Sequence, residues 1–150
     1  MNRPPMLETA EIRKLIQNAV DAKLEGTWFF QWYSPEELAV IYNGIGPDRF
    51  PDWLRALLTS CAKLFEPAAL IHDLEYFLGG TQADFTAANT RFRNNCRRLI
   101  RRKYPWWSPI RYILLNKARR WAGYCQQFGG KNYNFKTGME TGLCDFSKGK

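Results

Sequence analysis

Phe65-Glu66-Pro67-Ala68-Ala69-Leu70-Ile71-His72-Asp73-Leu74-Glu75-Tyr76 reads as an apolar helix opened by Pro67, and it sets the chain's only histidine beside an acid. Proline is at home in a first helical turn, where its missing N–H costs nothing. A neutral imidazole is a natural general base near pH 7, and a neighbouring carboxylate can hold a hard cation such as calcium. Adjacent residues on a helix diverge by about 100°, so His72 and Asp73 can face different partners. The bland alternative is a packed helical histidine with no chemical task.

Working outward, Gly79-Gly80 closes this helix and Thr81 caps the next, which the pattern carries to about Lys103. So short a turn folds the two helices into an antiparallel hairpin, bringing residues near 88 opposite His72. Asn89 is therefore the expected neighbour of the imidazole, with Asp84 as the rival on the same helix. Upstream, Tyr42-Asn43-Gly44-Ile45-Gly46-Pro47 places two glycines one residue apart, a turn whose backbone carbonyls could converge on an ion or simply reverse the chain.

Taken together, the Tyr-x-Gly-x-Gly loop, the Phe65-to-Tyr76 segment, and Gly79-Gly80-Thr81 running to Ala88-Asn89-Thr90-Arg91-Phe92 resemble the phospholipase A2 superfamily, particularly its bacterial and phage-encoded members. The resemblance covers about a third of the chain. It implies a mainly α fold built on an antiparallel helix pair with a glycine-rich calcium loop, flanked here by extra N- and C-terminal helices. It also implies calcium-dependent hydrolysis of the sn-2 ester of phospholipids, with His72 as general base and Asn89 and Tyr76 holding the site. One Ca2+ would be bound by the Asp73 carboxylate and the carbonyls of Tyr42, Gly44 and Gly46. Two positions depart from the family pattern. Ala69 stands where many bacterial relatives carry a paired cysteine, and Asn89 stands where the family has an aspartate. An amide can orient an imidazole but cannot stabilise the imidazolium as a carboxylate does, so turnover should be weakened.

The remaining elements follow from pattern. Apolar Ile12, Leu15, Ile16, Ala19 and Val20 predict an amphipathic helix from Thr9 to Leu24, ended by Gly26. Thr27 to Tyr33 is aromatic and β-prone, a strand or an extended aromatic plug, with core packing the expected role. Ser34-Pro35-Glu36-Glu37 carries an N-cap, a first-turn proline and a capping-box glutamate. Pro51-Asp52-Trp53-Leu54 predicts another helix start, and Ser108-Pro109 one more, running to about Tyr124. We expect a single helical domain over residues 1–124 and a glycine- and lysine-rich tail over 125–150.

Charge divides the chain. Residues 1–85 carry seven basic and twelve acidic side chains, whereas 86–150 carry fifteen and two, within a net charge of +8. Eleven arginines and lysines lie between 86 and 120 without one acid, which points to an anion-facing surface, the bland alternative being a solvated basic face with no partner. Trp106 and Trp107 beside Arg97, Arg98, Arg101 and Arg102 suit an anionic phospholipid surface, where indoles sit at headgroup depth. Nucleic acid is the alternative polyanion. Virion proteins are a further partner class for a phage-type accessory or structural protein that keeps this scaffold without efficient catalysis. Cys61, Cys96, Cys125 and Cys144 have no paired spacing and share the chain with a single histidine, which argues against a zinc site and leaves two disulfides allowed but not required. No apolar leader segment and no stretch of ~20 apolar residues is present, so a cytoplasmic or virion-associated location is expected.

Overall fold

The computed structural model describes residues 7–42 and 62–136. Gly44, Gly46, the helix expected from Pro51, Cys61, Cys144 and residues 137–150 lie outside that set. The described chain is mainly α-helical: α1 (Thr9–Asp21), a 3-10 helix (Thr27–Trp32), α2 (Pro35–Ile41), α3 (Ala62–Leu78), α4 (Gln82–Lys103), α5 (Pro109–Phe128) and a short 3-10 turn (Gly129–Lys131). It contains no sheet, only an isolated bridge between Gly80 and Phe135.

α3 is the central element. Phe65, Ala68, Leu70, Ile71, His72, Leu74 and Tyr76 are all buried, so most of this helix's circumference is enclosed, with only a narrow face through Lys63, Glu66, Asp73 and Phe77 reaching solvent. α3 is described from Ala62, so helical backbone already precedes the expected start at Pro67. Pro67 lies inside the helix and forfeits one backbone bond, to the Lys63 carbonyl. The added turn places Phe65 in the core against Trp121, at 5.8 Å between ring centroids, which offsets that loss.

Gly79 and Gly80 turn the chain with φ of 68° and 150°. Thr81 then caps α4 in a full capping box with Asp84. α3 and α4 run antiparallel, with Tyr76 facing Phe85 and His72 facing Asn89. α5 folds back along α4, burying Leu114, Ala118, Trp121, Ala122 and Cys125. It continues to Phe128 rather than stopping near Tyr124, because Cys125 is still a core position. The expected division at residue 125 therefore falls inside a helix. Beyond it, Asn134 and Lys136 hydrogen-bond the turn after α3, and Tyr133 is buried against Tyr76 and Phe85.

α1 packs on α2 and α3 through Ile12, Leu15 and Ala19, and ends at Asp21, three residues short of the expected Leu24. Thr27–Trp32 forms a 3-10 helix, not a strand, and plugs the core with Phe29 and Phe30. α2 has the capping box read from Ser34 and Glu37, with Pro35 in the first turn. Cys96 and Cys125 are both buried. No described helix is long and apolar enough to cross a membrane.

Candidate active site

The hairpin of α3 and α4 brings His72 and Asn89 together in the interior, at 7% and 3% exposure. His72 Nε2 lies 2.9 Å from Asn89 Oδ1, and the Tyr76 hydroxyl donates to the same oxygen at 2.7 Å. An amide oxygen only accepts, so Nε2 carries the hydrogen and the Nδ1 lone pair of His72 is left as the basic atom. Tyr76 and Phe92 lie against the imidazole with ring centroids 4.2 and 4.7 Å away, restricting its rotation. Asp84 is not at the site; it is engaged by Thr81.

Two further residues complete the network. Asn89 Nδ2 donates to Gln126 Oε1 at 2.9 Å, and Gln126 Nε2 donates to Thr86 Oγ1 at 3.2 Å. Neither was legible from sequence, since Gln126 lies on α5 and its approach depends on how that helix packs. Gly129 is required beside them, because a Cβ there would sit 2.5 Å from the Tyr76 hydroxyl.

Burial dominates the electrostatics. It pulls the His72 pKa down to about 4, only partly opposed by the hydrogen bond to Asn89, so the imidazole is neutral over the physiological range. Burial likewise raises the Tyr76 phenol, helped by Cys125, Asp73 and Tyr133 and opposed by the Asn89 bond. It pushes the Cys125 thiol up to about 12, with the Asp73 charge adding to the effect. Tyr42, at the C-terminus of α2, is raised by burial and then by the charges of Glu66 and Asp73. The Asp73 carboxylate thus exerts its field on both sides of the site.

Of the four expected calcium ligands, Tyr42 and Asp73 are described, and the Asp73 charge is the smallest of the three causes that raise the Tyr42 phenol. A carboxylate and backbone carbonyls are donors suited to a hard cation such as calcium. Among the described residues no three of His, Cys, Asp and Glu converge, so a cation here would depend on carbonyl oxygens, as a loop-built site does. Gly44 and Gly46 fall outside the described residues.

The arginine run is sorted by the fold. Arg98 donates to the Lys23 carbonyl and pairs with Glu25 at 3.5 Å, and Arg102 donates to the Asp21 carbonyl. Both therefore cap the negative end of α1. Arg91 pairs with buried Glu75 and lies over Trp28 and Phe29. Arg97 is half-buried and Arg101 exposed. Trp106 and Trp107, at the turn between α4 and α5, are 74% and 68% exposed, with Ile110, Tyr112 and Ile113 also exposed beside them.

Comparison of the chain with models of protein families, with curated proteins and with solved structures returned no match.

Proposed function

We propose that the protein is a phospholipase A2-type ester hydrolase, calcium-assisted, acting on the sn-2 ester of phospholipids at an anionic surface. The observation that carries this reading is the His72–Asn89 hydrogen bond across an antiparallel helix pair, with Asp73 next in sequence. His72 Nδ1 takes a proton from water, whose oxygen attacks the ester carbonyl, and the imidazolium returns that proton to the leaving alkoxide. Asn89 and Tyr76 hold the ring in the tautomer that leaves Nδ1 basic. Calcium held by Asp73 and the carbonyls of Tyr42, Gly44 and Gly46 would supply polarisation of the ester carbonyl.

A second reading is favoured by the neutral Asn89 and the low pKa of His72, which make the base weak. In it the chain is an accessory or structural protein that keeps the scaffold and binds an anionic partner, a membrane, nucleic acid or protein, through residues 91–120.

Fatty-acid release from defined phospholipid vesicles, with calcium or with chelator, separates the two. The hydrolase reading expects calcium-dependent release that His72→Ala abolishes and Asn89→Asp raises. No release from wild type or from Asn89→Asp would overturn it and leave the binding role.

A further inference from the structure

α4 carries two ridges of arginine that meet opposite fates. Arg91, Arg98 and Arg102 face α1 and the 3-10 helix, and each has a carboxylate or a helix-terminal carbonyl. Arg93 and Arg97, one helical turn apart, face α5 instead. There they line an open groove of about 360 Å³ with Arg119, Asn116 and Leu115. The sequence from residue 85 to 136 contains no acid, and Glu25 and Glu75, which reach α4 from elsewhere, are already paired. Among the described residues, nothing anionic is placed against the groove. Like charges one turn apart on a helix are destabilising, so three guanidiniums gathered from two helices call for an external anion.

We propose that the groove between α4 and α5 is a binding site for a single phosphate group, held by Arg93 and Arg97 from one side and Arg119 from the other. Guanidiniums present planar forks of N–H donors. A tetrahedral phosphate offers oxygens in several directions and can engage forks from both helices at once, whereas a carboxylate offers only two coplanar oxygens. Asn116 adds an amide donor at the rim. The volume exceeds one phosphate, and half-buried Leu115 gives an apolar surface for whatever carries it, so a phosphate ester fits better than the free ion. This site is distinct from His72 and does not depend on the hydrolase reading.

The test is an NMR titration of the full chain with inorganic phosphate at constant ionic strength, following the arginine side-chain N–H signals. Saturable shifts at Arg93, Arg97 and Arg119 are expected. Each of Arg93→Gln, Arg97→Gln and Arg119→Gln should weaken binding about tenfold or more. Arg101→Gln, on the same run but outside the groove, should change it little. Competition between phosphate and phosphatidylglycerol vesicles would assign the phosphate to a lipid headgroup; saturable phosphate binding without vesicle competition would assign it to a soluble ester. Shifts that never saturate would overturn the proposal. So would binding of a single-stranded oligonucleotide weakened as much by Arg101→Gln as by Arg97→Gln, since that is a diffuse basic face rather than a built site. The four positions are at the surface, and circular dichroism of each variant verifies the fold.

Discussion

Gln126 Oε1 accepts from Asn89 Nδ2 at 2.9 Å, and this contact decides which end of the Asn89 amide meets His72. With Nδ2 committed to α5, Oδ1 is left to accept from His72 and Tyr76. Gln126→Leu removes that commitment and strands a buried donor. The expected cost is about 1–3 kcal/mol in chemical denaturation. Nitrogen-15 NMR of the imidazole should show one Nε2–H tautomer in the wild type and a mixture in Gln126→Leu. A variant that loses stability while keeping a single tautomer would assign Gln126 to packing alone.

The buried imidazole also sets a pH dependence. His72 has its pKa lowered from 6.5 to about 4 by burial. In the unfolded chain it takes up a proton as pH falls through 6.5, while the folded state resists until about pH 4. Its contribution to stability is thus fully present above pH 6.5 and is lost as pH falls from 6.5 to 4, by on the order of 3 kcal/mol. Denaturation midpoints measured across that window should fall in the wild type. In His72→Gln the part of the slope due to this group should vanish.

The hairpin that frames His72 was legible because its signals are local: Thr81 and Asp84 cap α4, two glycines fix the turn, and the turn sets Asn89 opposite His72. Asn89 prevailed over Asp84 for the same reason, since the capping box occupies Asp84 three residues from Thr81. What was not legible depends on contacts between distant segments. Gln126 is 37 residues from Asn89, and Arg98 meets Glu25 across 73. The uniform basic run therefore concealed that two of its six α4 arginines, Arg98 and Arg102, hold the end of α1 and that Arg91 pairs with Glu75 on α3. Pro67 misled as a start signal because burial of Phe65 extends the helix beyond it.

Glu75 and Arg91 form one of these hidden pairs. Glu75 is buried, Arg91 pairs with its Oε1, and Oε2 has no hydrogen-bond partner. Breaking a buried pair from one side leaves an uncompensated charge, so Arg91→Met should destabilise the fold by about 3–5 kcal/mol. Glu75→Gln/Arg91→Met, which removes both charges, should recover much of that loss. Urea denaturation of the two variants measures the difference; equal losses would show that Arg91 acts through its contacts with Trp28 and Phe29 rather than its charge.

The turn that closes α3 depends on a residue without a side chain. Gly79 has φ of 68°, and a Cβ there would lie 1.8 Å from the Asn134 carbonyl oxygen, the atom that accepts from Gly80 N at 3.0 Å. Gly79→Ala thus incurs a left-handed backbone cost of about 1–2 kcal/mol and also pushes Asn134 away. Because Asn134 N donates to the Tyr76 carbonyl, the displacement reaches Tyr133 and its packing on Tyr76. Loss of at least about 2 kcal/mol is expected, together with faster proteolysis around residues 132–136. Gly123 is the contrast: it lies within α5 with nothing within 4 Å of its would-be Cβ, so Gly123→Ala should stabilise by up to about 1 kcal/mol. A loss at Gly79→Ala no larger than the backbone cost of about 1–2 kcal/mol, with proteolysis around 132–136 unchanged, would mean that the contact of residues 133–136 with the turn contributes nothing to the fold.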